Sequence, residues 1–271
     1  KPDGVTIAAE FATFPNQRED ISYGLTTQGE RWFTTPTPGA PNNAGVIGFV
    51  GDTAFSVDRG FYTEPFELVI SSPTPDATIR YTLDRSVPTT TTGEIYDGPI
   101  TIDKTTAVRA IAFKPDYAPT NVDTQTYIFT ADIIAQNTIN STIKNDPTWG
   151  PQLEASLLAL PTISLIAPTF NPSAVSAETP TSVEMIFPDG TKGFQIDAGV
   201  EHFGGLTLNN SPKKNMRISF KAIYGPTKLR YDLFGEGAVD VFDKILLRTG
   251  SHDSFFWTRP INRAAGRGVY I

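Results

Sequence analysis

Two glycines, two lysines and one arginine near the C-terminal end are the residues whose types and spacing could do chemistry. Phe203-Gly204-Gly205 closes one predicted strand, and Lys213-Lys214 opens the next, Asn215-Met216-Arg217-Ile218-Ser219-Phe220. A Gly-bearing turn lets the backbone approach a polyphosphate, and Lys neutralises its charge. Arg248 follows in Leu246-Leu247-Arg248-Thr249-Gly250. No Gly-Lys-Ser/Thr follows the glycines, so this is not a Walker A loop. A plain edge hairpin whose lysines block edge-to-edge pairing accounts for the same residues. Lys213 and Lys214 point to opposite faces of a strand, so at most one of them reaches a ligand.

Charge supports an anionic ligand in this region. Residues 201–271 carry a formal +5 and the first 200 residues −12, within a total of −7. A basic segment on an acidic chain fits phosphate, nucleotide or an acidic polymer. It fits equally well if those cations face acidic surface elsewhere in the molecule. Other chemistries lose support. There is no Cys, so disulfides and thiolate metal sites are excluded. The two His, His202 and His252, give no metal-ligand spacing and read as structural. Ser251-His252-Asp253 are consecutive and cannot converge on one substrate atom. Asp253 reads as a helix cap or a partner for Arg248. No nucleic-acid module accompanies the basic segment, and no apolar run reaches the roughly 20 residues of a membrane span.

The elements that must position these residues are mostly strands. The chain has 22 Gly and 22 Pro among 271 residues, which suits short strands joined by many turns. Residues 1–45 hold scattered apolar anchors and end in Thr35-Pro36-Thr37-Pro38-Gly39-Ala40-Pro41-Asn42, an extended linker. Residues 46–130 read as a β-sandwich, with Ile79, Tyr81 and Leu83 on one face and Val108 and Ala110 in the core. Phe66 to Ile70 is expected as one strand. Residues 131–181 form a transition with a short helix within 151–160 and a buried strand at Thr162 to Ile166. Residues 182–271 begin a further domain. Its strands Ser182 to Phe187 and Phe194 to Phe203 are joined by the turn Pro188-Asp189-Gly190-Thr191, with Phe194, Ile196, Ala198 and Val200 on one face. The acids of the sandwich, Asp84, Asp97, Asp103 and Asp123, read as turn residues. They leave open a spacer, a sugar-binding and a calcium-binding module.

Three stretches carry resemblances to known families. Phe14-Pro15-Asn16-Gln17, Ser22-Tyr23-Gly24 and the Pro-rich run 35–42 resemble the end of a bacterial lamin-tail domain. Ala77 to Thr82, Val87-Pro88-Thr89, Tyr96 to Ile100, Ala107 to Ala110 and Thr126-Tyr127 resemble the chitobiase C-terminal, fibronectin-associated type of sandwich. That family commonly has Asp-Gly where this chain has Asp84-Arg85, so either the turn differs or Arg85 is strained. Gly199 to Gly205, Lys213 to Phe220, Tyr224-Gly225, Tyr231 to Phe234 and Phe242 to Ser254 resemble CotH-type spore-coat kinases, as does Arg267 to Ile271.

The last resemblance implies an atypical, exported kinase that moves the γ-phosphate of ATP to Ser or Thr. An immunoglobulin-like sandwich would precede a partial α+β kinase-like lobe. Gly204 and Gly205 would lie over the phosphates, with Lys213 or Lys214 and Arg248 beside them. ATP and Mg²⁺ are expected only for the complete domain, because the family's metal ligands belong to a larger lobe further on. On this reading no residue of the present chain is catalytic, and the chain itself is inactive. The chain starts Lys1-Pro2-Asp3, without an initiator Met or a signal peptide, and reads as an internal piece of a surface protein. Surface or coat proteins are the expected substrates, with self-assembly as a further expectation. The rival is a structural or adhesive cell-surface scaffold of non-catalytic, carbohydrate-binding or spacer β domains.

Overall fold

Short apolar stretches separated by turn residues form antiparallel sheets along most of the chain. The computed structural model describes residues 3–7, 10, 13–137, 139–169, 177–204 and 214–248. Near the N-terminus Ser22–Thr26 pairs with Gly29–Phe33 in a hairpin. This hairpin has no core of its own, and its Trp32 and Phe33 are buried. Trp32 exchanges two backbone hydrogen bonds of 2.8 Å with Val46. Its ring meets Phe49 edge-on at 5.5 Å. The Pro-rich run 35–42 joins no strand, as its missing N–H groups require.

The sandwich follows. Its larger layer runs Gly60–Tyr62, Asp123–Phe129, Thr106–Phe113, Thr78–Thr82, Glu94–Ile95. The facing layer is built from Phe66–Leu68 with Ile100–Ile102 and Ala54–Phe55 with Ile70–Ser71. Leu68, Ile70, Ile100 and Ile102 pack against Ile79, Val108, Ala110 and Tyr127. The register Tyr81↔Ala110 and Ile79↔Ala112 puts alternate residues on that core face. Tyr81 packs against the core half-buried, and its hydroxyl donates to Glu94 at 2.9 Å.

Two local expectations differ from the structure. The run 66–70 is interrupted at the exposed Val69. There the Ser56 side chain accepts from the Val69 N–H, and the Ser56 N–H donates to the Val69 carbonyl. Leu83 leaves the strand and is exposed. The cause is the next residue: Asp84 Oδ1 accepts from both the N–H and the hydroxyl of Ser86, which closes a tight turn. Arg85 in that turn stands at φ +72°, so strain is the alternative realised.

The transition contains the helix Leu153–Leu157 and two helices absent from the sequence reading, Thr130–Ala135 and Ser141–Lys144. Asn140 caps the second of these by accepting from the Thr142 N–H at 2.8 Å. A second antiparallel sheet then runs Thr162–Ile166, Thr179–Ile186, Gln195–His202, Met216–Ser219, Lys244–Leu247. Val183, Ile196, Ala198, Val200 and Ile218 line one face, with Phe194 half-buried beside them. The hairpin of Leu229–Arg230 with Val241–Phe242 covers part of that face through Leu229 and Phe242. From 162 to 248 the described residues form strands and turns without a helix. The described chain is therefore mainly β, and the helical part of an α+β lobe is not among it.

The opposite face of this second sheet packs on the outer face of the sandwich through polar residues. Glu184 is fully buried and accepts from the Thr126 N–H at 3.1 Å and from the Thr126 hydroxyl. Ser164 and Thr126 share a hydrogen bond of 3.0 Å. Arg59 lies 3.3 Å from Glu184 and donates to the Phe194 carbonyl at 3.0 Å. Burial pushes the Glu184 carboxyl above its ordinary range, and Arg59 opposes that shift. Asp197 is likewise raised by burial, with the buried Arg109 as its opposing charge. Arg109 Nε, Thr124 Oγ1, Asp197 Oδ1 and Ser219 Oγ are buried without a protein hydrogen bond. Such groups cost free energy wherever they lie, so this seam fixes geometry more than it adds stability.

Candidate functional site

The sites of interest lie on the face of the second sheet that turns away from the sandwich. Strand alternation decides this: Ser164 and Glu184 point into the seam, while Ile163, Leu165 and Val183 point to the other side. The sheet's twist brings residues of its first and last strands around one concavity. A cleft of about 440 Å³ is lined by Ile163 and Leu165, by Lys214 and Met216, and by Leu246, Leu247 and Arg248. Register accounts for the floor, since Met216 pairs with both His202 and Leu247. The result is an apolar floor with two cations at its rim.

Of the sequence-predicted residues, the structure brings Lys214 and Arg248 to this cleft. Lys214 lies two residues before the strand Met216–Ser219, so strand alternation does not fix its direction. It makes no ion pair among the described residues. Gly204 follows the strand Gln195–His202 at φ +125°, a conformation that favours glycine. Gly205, Lys213, His252 and Asp253 lie outside the described residues. His202 is buried within its strand, in keeping with a structural role.

Three further cations of the basic segment are paired with acids. Arg217 donates to Glu201 through Nε at 2.9 Å and Nη2 at 2.6 Å, with Phe203 under its guanidinium. Lys221 pairs with Glu178 at 2.7 Å, and Lys228 with Asp243 at 2.6 Å. Hydrogen bonding to Glu178 holds the Lys221 ammonium above its usual range. Lys221 thus faces an acid outside the segment, whereas Arg217 and Lys228 pair with acids of the segment itself.

A second polar group went unread in the sequence. Asp123 opens a sandwich strand and accepts from the Thr53 hydroxyl and, at 3.0 Å, from Asn121 Nδ2. Burial raises its carboxyl to about 6, and the nearby Asp52 adds to the shift. The turn reading of Asp123 is therefore incomplete. Its only sequence signal is a second Asp seventy-one residues earlier, and separation hides that pairing. Among the described residues no three His, Asp or Glu side chains gather as metal ligands.

Comparison with known proteins identifies one segment. Residues 57–124 match the chitobiase/beta-hexosaminidase C-terminal domain family, so the sandwich is a domain of that type. No curated protein matches the chain. No solved structure matches it either. Among the described residues no helix is long and apolar enough to cross a membrane.

Proposed function

We propose that the second sheet opens a phosphoryl-transfer domain of the CotH kinase type, with the nucleotide seated in the cleft between Lys214 and Arg248. The observation that carries this reading is the pairing of an apolar floor with two rim cations in a cleft of about 440 Å³. Ile163, Leu165 and Met216 suit the flat face of a nucleobase, and Lys214 with Arg248 suits its phosphates. Gly204 would let the backbone approach the phosphate chain closely. ATP supplies the transferable phosphoryl group when bound. The residues described here bind and orient it, and none of them is assigned a step on Mg²⁺. The order of the CotH-like motifs along residues 160–271 supports the same reading.

The N-terminal hairpin and the Pro-rich run fit the end of a lamin-tail domain. With the CotH resemblance they support the reading of a parent protein outside the cell or on its surface, acting on Ser or Thr of coat or surface proteins. The test uses the full-length protein with its complete domain, with Mg²⁺ present, in thermal unfolding with ATP, adenosine and pyrophosphate as separate probes. ATP should raise the midpoint most, because it alone meets both floor and rim, while each part alone raises it less. Equal shifts with pyrophosphate and ATP would reduce the site to an anion patch. No shift at millimolar ATP would leave the surface-scaffold reading standing.

A further inference from the structure

Another concavity lies on the sandwich, with a volume of about 830 Å³. Two turns contribute to its lining, one holding Asp84-Arg85 and the other Asp103-Lys104. Thr126 and, from the second sheet, Ile166 also line it. The cleft therefore opens at the junction of two domains, where ligand sites concentrate.

Each turn offers one carboxylate beside one cation, all four exposed. Glu94 adds a third acid, already holding the Tyr81 hydroxyl at 2.9 Å. Three acids against two cations disfavour an anionic polymer. Leu83, Ile102 and Ile166 line the cleft beside these charged groups, which suits a ligand that is part polar and part apolar. A carboxylate that accepts and a cation that donates, side by side and repeated on the two turns, suit a chain of vicinal hydroxyls.

Arg85 supplies the independent observation. Its φ of +72° lies in the left-handed region, where a non-glycine residue is strained by about 1–2 kcal/mol. The turn itself does not need the arginine side chain. Asp84 closes it through Ser86, and the Arg85 carbonyl, a backbone group, accepts from Arg109 Nη1 at 3.2 Å. Glycine would do both without strain. A strained arginine kept in the lining of this cleft points to work done by its side chain. We infer that the cleft between the Asp84-Arg85 and Asp103-Lys104 turns binds a neutral oligosaccharide. This inference is independent of the nucleotide cleft, which lies on the other side of the second sheet.

The test titrates the full chain with cellotetraose, xylotetraose and chitotetraose, and with a tetragalacturonate as the acidic counterpart, read by calorimetry and saturation-transfer NMR. At least one neutral tetrasaccharide should bind saturably. R85G should unfold at or above the wild-type midpoint while losing about tenfold or more in affinity. R85A keeps the strained backbone and should lose the same affinity, so the binding result does not hang on one variant's stability. K104A should weaken binding, and K192A, remote from the cleft, should not. Wild-type affinity in both R85G and R85A would overturn the inference. So would the absence of binding by every neutral sugar at millimolar concentration. Binding of tetragalacturonate alone, abolished by salt, would overturn it in favour of an anion site.

Discussion

Glu184 lies fully buried 3.3 Å from Arg59, and the two residues come from different domains. A carboxylate removed from water must be repaid in charge and hydrogen bonds, and Arg59, Thr126 and Ser164 provide both. The seam thus ties the strand that carries Val183 on the nucleotide-cleft side to the sandwich behind it. E184A should cost about 3 kcal/mol, because three donors lose their acceptor at once. E184Q keeps the shape and one acceptor and should cost about 1 kcal/mol. Urea unfolding checks both. E184A should also split a single transition into two as the domains uncouple. One transition with an unchanged midpoint would show that the seam does not couple them.

The Asp123 carboxyl, raised to about 6, sets a pH dependence of known sign. A carboxyl whose folded pKa lies above its unfolded value of 3.8 binds its proton more tightly in the folded state. Its contribution is neutral at low pH and becomes destabilising as pH rises from about 4 through about 6. A shift of about two units amounts to about 3 kcal/mol, which partial exposure reduces to about 1–2 kcal/mol. D123N should therefore raise the unfolding midpoint at pH 7.5 and leave it nearly unchanged at pH 4. A variant less stable than wild type at both pH values would remove the carboxyl as the source.

The hairpin between the second and third strands of the C-terminal sheet separates steric from conformational need for glycine. A Cβ on Gly193 would lie 1.8 Å from the Met185 carbonyl oxygen, where the Met185 N–H donates to the Phe194 carbonyl at 2.9 Å. G193A must open that pairing and disturb the Arg59 contact to Phe194, costing about 3 kcal/mol. Gly190 stands at φ +78° with open space around it, so G190A costs only the backbone strain, about 1 kcal/mol. Denaturant midpoints of the two variants should rank in that order.

Period-two alternation made the faces of the strands legible. Ile196, Ala198 and Val200 point one way, and the core of the second sheet lies there. The same rule sends Ser164, Glu184 and Asp197 the other way, onto a polar face. In the structure that face is the seam, because the sandwich presents an equally polar face of Thr124, Thr126 and Arg109. Alternation says that two faces differ; it does not say what covers either one. The Arg85 strain was legible as an alternative, since the residue occupies a place that suits glycine. The Asp52–Asp123 pairing was not, because loops meeting across a sandwich leave no local spacing to read. Lys214 and Arg248 were legible as cations, while their shared cleft depends on the curvature of a five-stranded sheet.

That shared cleft predicts a coupling between the two cations. Lys214 and Arg248 line one rim, whereas Lys221 and Lys228 are held by Glu178 and Asp243. K214A and R248A should each weaken ATP binding to the full-length protein with its complete domain about tenfold, and raised salt should shrink the loss. The double variant should lose less than the two single losses combined, because both side chains serve the same phosphates and the second removal finds fewer contacts to break. K221A and K228A should leave affinity unchanged while lowering the unfolding midpoint slightly through their lost surface pairs. Equal losses from all four substitutions would mean that ATP responds to net charge alone, and the cleft would have no claim on the nucleotide. Full additivity of K214A and R248A would place the two cations on separate ligands and break the site in half.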